Sequence, residues 1–174
     1  MSESFVDFPP FYTLQPNLET RKVQIQTWES VILEHCRQNS LFTLNISEAI
    51  KNSPFKNDII KRSLNESAFR TILNEMAKNG RIEWINESSK QTPSSCLVYW
   101  KTIDEWADVL RNWVKSKSIS GSICTFYEIT SDDRSDPDLK DLDERILVKA
   151  LQIIEKTGKC TIMKINNDYG VKFM

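Results

Sequence analysis

Apolar positions along this chain follow two periods, and the switch between them occurs in the same order twice. Ile25, Trp28, Ile32 and Cys36 recur at three- and four-residue spacing, one face of a helix predicted over 18–38 with Asn17 as its cap. Leu41 to Ile46 alternates and reads as a short strand, Ser53-Pro54 breaks the chain, and a short helix is predicted over 56–62. Phe69, Ile72, Leu73 and Met76 return to the helical period over 64–79, with Ser63 and Glu66 as a capping box and Gly80 as the left-handed stop. Arg81–Ile85 and Cys96–Trp100 then alternate around a polar stretch, as two strands and a loop would.

The second half repeats this order. Residue 63 corresponds to 141, Trp28 to Trp106 and Gly80 to Gly158, an offset of 78. Thr102 and Glu105 cap a helix through Lys117, Ile123–Thr125 reads as a strand and Phe126–Thr130 as a short helix. Asp141 with Glu144 is expected to cap a helix over 142–157, and strands at 160–165 and 170–174 flank Asn166-Asn167-Asp168. Helix, strand, helix, helix, strand, strand is the winged-helix order, so the expected fold class is α+β, with two tandem winged-helix domains. Their expected bounds are 18–101 and 102–174, preceded by an extended proline/aromatic arm over 1–17. No Gly/Ser-rich linker separates the two.

Composition narrows the possible functions. Of 174 residues 40% are hydrophobic, and eight Phe, five Trp and four Tyr suffice for two small cores. The net charge is −1; residues 1–101 carry 12 basic and 11 acidic side chains, the remainder 11 and 13. Neither half is the basic surface that neutralises phosphates. The outward candidates on the third helix of each unit are also of mixed sign: Glu66, Arg70, Asn74, Glu75 and Lys78, then Asp143, Arg145, Lys149, Gln152, Glu155 and Lys156. Nucleic acid is therefore not an expected partner, and a nucleic-acid-binding winged-helix regulator is the alternative.

Chemistry is equally sparse. Cys36, Cys96, Cys124 and Cys160 are widely spaced, and His35 is the one histidine, so no metal site is expected. Four glycines and no phosphate-loop motif leave no cofactor cradle. Cofactors are expected to be none, catalytic residues none, and the protein not an enzyme. No apolar run approaches a membrane span, and the first residues lack a signal-peptide pattern. The expected location is cytoplasmic.

Two segments remain unexplained by fold. Residues 131–144 hold seven acidic and two basic side chains, suited to a solvated loop or to a basic partner. Phe8-Pro9-Pro10-Phe11-Tyr12 sets rigid prolines among aromatics, so it loses little entropy on docking. It also matches the P-P-x-Y pattern of WW-domain ligands, and it can instead fold back on its own domain.

The run Phe8 to Asn17, followed by Thr20-Arg21 and Trp28, resembles the small-subunit family of the endosomal ESCRT-II complex. Ser53-Pro54-Phe55, Gly80-Arg81-Ile82-Glu83-Trp84, Thr125-Phe126-Tyr127-Glu128-Ile129, Leu142-Asp143-Glu144 and Gly170-Val171-Lys172-Phe173 extend the likeness over nearly the whole chain. Phe5 and Phe8 stand where some relatives have upstream tryptophans, and Met174 where an aromatic is common.

The resemblance implies a non-catalytic subunit of tandem winged helices, two copies of which join two larger winged-helix ESCRT-II subunits. It implies that Pro9, Pro10, Phe11 and Tyr12 contact those subunits. It further implies that the second domain recruits an ESCRT-III subunit at endosomal membranes, for sorting ubiquitinated cargo into multivesicular bodies. Charge adds the candidates Asp132, Asp133, Asp136 and Asp138 for that second contact, since a basic amphipathic helix would be steered to them.

Overall fold

Asn17 opens the first long helix, its Oδ1 accepting the Thr20 N–H at 3.0 Å, and α1 runs Leu18–Gln38. The computed structural model describes residues 5–86, 88–89, 91–131, 133 and 135–174, and divides into residues 1–100 and 101–174. In the first unit α1 is followed by β1 (Thr43–Asn45), α2 (Ile46–Ala49), β2 (Lys56–Asn57), β3 (Arg62–Ser63), α3 (Glu66–Lys78), β4 (Ile82–Ile85) and β5 (Ser95–Val98). The antiparallel sheet has the order β1-β5-β4, with Leu97 opposite both Thr43 and Glu83. Trp28, Ile32, Phe69, Ile72, Leu73 and Met76 fill the space between helices and sheet.

The segment 56–62 is a hairpin and not the expected helix. Asn57 Oδ1 accepts the N–H groups of Ile59 and Ile60 at 3.0 and 3.3 Å, and Lys61 has φ +53°. This side-chain-closed turn reverses the chain so that β2 pairs with β3. Its consequence is a later start for α3. Ser63 is held in the pair with Lys56, and the Leu64 N–H bonds the Phe55 carbonyl at 2.9 Å. Asn65 therefore caps the helix, accepting the Ala68 N–H at 2.7 Å, instead of Ser63.

The second unit comprises α4 (Ile103–Lys117), β6 (Ile123–Thr125), α5 (Phe126–Thr130), α6 (Glu144–Lys156), β7 (Cys160–Ile165) and β8 (Asp168–Phe173). Its antiparallel sheet has the order β6-β8-β7. Full capping boxes open α4 (Thr102 with Glu105) and α5 (Thr125 with Glu128). Asp143, not Asp141, caps α6: Asp141 is in the left-handed region (φ +59°), its N–H tied to the Thr130 carbonyl at 2.9 Å. Glu155 reaches from α6 to β7, where its Oε1 accepts the Ile162 N–H at 2.9 Å. Trp106 is as deeply buried as Trp28.

Gly80 and Gly158 both have φ +72°, the helix-ending conformation that suits glycine. The repeat offset, however, is not constant. It is 78 between the third helices, 80 between the first strands (Thr43 and Ile123) and 75 at the last strands (Val98 and Phe173), because the connecting loops differ in length.

Candidate protein-docking surfaces

The arm is not extended. Phe5–Asp7 and Pro9–Tyr12 are 3-10 turns laid against α1. Proline at the start of such a turn has its φ already set and no N–H to satisfy. Phe11 (4% exposed) stacks on Trp28 at 4.2 Å with an interplanar angle of 4°, and Tyr12 (2% exposed) meets the same indole edge-on at 5.5 Å. The Trp28 Nε1–H donates to the Phe11 carbonyl at 2.9 Å. The Tyr12 hydroxyl lies 3.0 Å from the carbonyls of both Val6 and Pro54. Burial first, then the Asp7 carboxylate, raise its pKa above the ordinary phenol value, so it remains a donor.

Gln24 fastens the arm to the helix. Its Nε2 donates to the carbonyls of Phe11 at 3.0 Å and Thr13 at 2.8 Å, while its Oε1 accepts the Gln15 N–H at 3.0 Å. Sequence reasoning missed this residue. The available signal was a glutamine one turn before Trp28, on the face that α1 buries. Phe11 and Tyr12, expected to reach a partner, are thus members of the first unit's own core. A buried indole N–H and two large aromatics satisfy one another there at short range.

The prolines and two other aromatics face outward. Phe5 is 50% and Phe8 58% exposed, Pro10 is exposed and Pro9 half-buried. Phe5, Phe8 and Pro10, with Phe11, Glu19, Val23 and Thr27, line a largely apolar groove of about 610 Å³. The P-P-x-Y motif is not in the extended form that WW domains read, and its tyrosine is inside.

In the second unit the acidic segment is anchored, since Leu139 and Leu142 are buried. Asp133 and Asp138 are exposed, Asp136 is half-buried with its Oδ1 accepting the Asp138 N–H at 2.8 Å, and Asp132 lies outside the described residues. Asp143 is committed to Arg145, whose guanidinium makes two contacts of 2.9 and 2.8 Å with its carboxylate. The Arg145 hydrogen bond is the main cause holding the Asp143 pKa below the ordinary value. Beside this segment lies a groove of about 690 Å³ between α5, the start of α6 and the wing turn. Tyr127 (71% exposed) and Tyr169 (46%) border it, Phe126 stacks on Tyr169 at 5.9 Å, and Glu144 and Asp168 are its charged lining. These two tyrosines were not foreseen, although Tyr127 stands in an apolar-rich short helix with no core role required of it.

The faces that would read nucleic acid are used internally or are balanced. On α3 the Arg70 guanidinium donates to the Pro93 carbonyl at 2.6 Å and sits 5.4 Å over the Trp84 ring. Asn74 Oδ1 accepts the Trp84 Nε1–H at 3.1 Å, and Lys78 pairs with Glu75. On the surface of α6 Arg145 is bound to Asp143, and Glu144 and Lys149 lie beside them as charges of opposite sign. His35 stands edge-on to Phe55 at 5.8 Å, and burial lowers its pKa. All four cysteines are buried thiols; burial pushes Cys36 and Cys96 up to about 12 and Cys160 to about 11. Among the described residues no His/Cys/Asp/Glu group is placed to hold a metal, and no helix is long and apolar enough to cross a membrane.

Residues 5–143 match the family model of an ESCRT-II complex subunit. The chain is 38% identical over 168 residues to vacuolar protein-sorting-associated protein 25 of Xenopus laevis, covering 96% of this chain and 94% of that protein. The human protein of that name is 35% identical over 167 residues, with 95% and 93% covered. Among solved structures, subunit VPS25 of the endosomal trafficking complex ESCRT-II superposes with a TM-score of 0.86 at 26% identity, over 97% of each chain. A chain of the ESCRT-II complex VPS22/VPS25/VPS36 gives a TM-score of 0.84 at 27% identity over 100% of both.

Proposed function

The chain belongs to the ESCRT-II complex subunit family, and we propose that it serves that complex as its small, non-catalytic assembly subunit. In this reading the arm docks on two larger winged-helix subunits, two copies of the chain enter each complex, and the second unit engages an ESCRT-III subunit. The assembly is peripheral to the endosomal membrane and serves multivesicular body sorting.

The observation that carries the reading is the outward apolar face of the arm. Phe5, Phe8 and Pro10 on the arm and Val23 on α1 surround one groove, and the arm's underside is fixed by Phe11, Tyr12 and Gln24. A pre-ordered proline–aromatic surface loses little entropy on binding, and aromatics near the centre of an interface dominate its energy. Pro9, Pro10 and Phe8 are then the direct contacts, and Phe11 and Tyr12 hold them in place.

For the second contact the groove beside Tyr127 and Tyr169 supplies apolar area, while Glu144, Asp168, Asp133 and Asp138 supply the charge that attracts a basic amphipathic helix. The internal use of Arg70, Asn74 and Lys78 supports a protein partner over a nucleic acid.

The test separates arm surface from arm core. Phe8→Ala with Pro10→Ala should weaken binding to the two larger subunits at least about 30-fold, the ratio given by about 2 kcal/mol, with an unchanged melting temperature. Unchanged complex formation on size-exclusion chromatography would remove the arm from the interface. For the second unit, Tyr127→Ala should raise the dissociation rate of the ESCRT-III subunit. Asp133→Asn with Asp138→Asn should slow its association only at low salt.

A further inference from the structure

The hairpin of β2 and β3 presents a side chain that neither the fold nor the arm explains. Ile59 is 91% exposed at its tip, while the adjacent Ile60 is turned against the first unit's core. This division is built in. Asn57 Oδ1 accepts the N–H groups of both residues, Lys61 closes the turn at φ +53°, and Asn57 Nδ2 donates to the Val6 carbonyl at 2.8 Å. The tip is therefore held in shape with its isoleucine outward. Charge around it is basic by a small margin: Lys56 is bridged to Asp58 at 3.1 Å, the Asp7 carboxylate accepts from Asn57 Nδ2 at 3.2 Å at the hairpin's base, and Lys61 and Arg62 have no carboxylate partner among the described residues.

We propose that this tip is a contact for an anionic lipid surface, with Ile59 entering the boundary between headgroups and acyl chains and Lys61 and Arg62 meeting the headgroups. The shape favours lipid over other occupants. The tip is convex and carries one aliphatic side chain, where protein anchors are chiefly aromatic or arginine side chains seated in pockets. A nucleic acid would use the two bases but gains nothing from an exposed aliphatic group, because its bases stack on aromatic rings. An interfacial segment needs an apolar group flanked by basic side chains whose stems lie along the apolar boundary, and this turn has both. Each basic side chain near an anionic surface strengthens binding about fivefold. The contact is weak alone and acts together with whatever else brings the chain to a membrane.

Vesicle sedimentation of the full chain tests this, with phosphatidylcholine vesicles and with vesicles that also contain phosphatidylserine. Wild type should partition onto the second and not the first, less so as salt is raised. Ile59→Ser should reduce partitioning about tenfold, and Lys61→Glu with Arg62→Glu should abolish it, each with an unaltered circular dichroism melt. The four native thiols are buried, so Ile59→Cys can carry an environment-sensitive dye whose emission should shift blue on the anionic vesicles. Absence of wild-type partitioning, equal partitioning of the variants, or a dye that remains in water while the chain sediments would each overturn the proposal. A dye shift seen only with an added acidic protein would reassign the tip to a protein contact.

Discussion

The two units share a plan, and the first completes its core with the segment that precedes its first helix. In the second unit, Trp106 is 1% exposed, with Lys101 lying 5.4 Å over the indole. In the first, the equivalent Trp28 is covered by Phe11 and Tyr12 and gives its indole proton to the arm. The lesson is that a segment read as an interaction arm can be a structural part of the domain it precedes. The binding surface proposed for it would then exist only while that domain is folded, and surface and core in the arm must be tested separately.

The largest expected effect breaks this contrast directly. Phe11→Ala should destabilise the first unit by about 3–5 kcal/mol, comparable with Trp28→Ala, and leave the second intact. Trp106→Ala should do the reverse. Urea unfolding followed by hydrogen exchange of amides assigned to each unit measures both, and an unmoved first unit in Phe11→Ala would show the arm to be dispensable to its core.

A smaller effect sits in the second sheet. A Cβ on Gly170 would lie 2.7 Å from the Ile165 side chain and 3.1 Å from the Cys124 carbonyl. Gly170→Ala should cost about 1–3 kcal/mol by overpacking, read as a lower melting temperature of the second unit alone.

The third-helix caps sharpen the comparison further. Asn65→Ala and Asp143→Ala should each cost about 1 kcal/mol at neutral pH, but only the second cap titrates. The Asp143 pKa is depressed in the folded chain, so its contribution is complete above the ordinary value of 3.8 and is lost as pH falls through the lower folded value. His35 gives the smallest effect, confined to the first unit. Its pKa is lowered by burial, so protonation favours the unfolded chain, and stability declines as pH falls below 6.5. Thermal melts from pH 7 to 3 should show the first unit softening before the second, and His35→Gln should remove that early loss.

Much of the fold was legible because helices announce themselves over many residues. The α1 bounds, both glycine stops and the Thr102 and Thr125 caps follow from local pattern. The errors arose where a short polar side chain chose between backbone partners. Asn57 closes a turn where a helix was expected, and Asn65 and Asp143 cap where Ser63 and Asp141 offered the same spacing. The arm was half legible. Its proline–aromatic composition marks a segment suited to docking, but spacing alone does not tell whether the receiving groove is on α1 or on another chain. The buried Gln24, which decides the matter, is a polar residue on an apolar face. The Tyr127 and Tyr169 groove was illegible, since it joins α5 to a strand more than 40 residues later.

The bond from Glu155 to Ile162 has a consequence for solubility. β7 is an outer strand, and outer strands expose unpaired N–H groups on which a second chain can add a strand. One of those groups is occupied by a carboxylate from the chain's own helix, which also places a negative charge along the open edge. Glu155 thus acts as a guard against edge-to-edge aggregation. A chain carrying Ala at that position should remain folded yet form soluble oligomers, and then precipitate, at concentrations where the wild type stays monodisperse in light scattering.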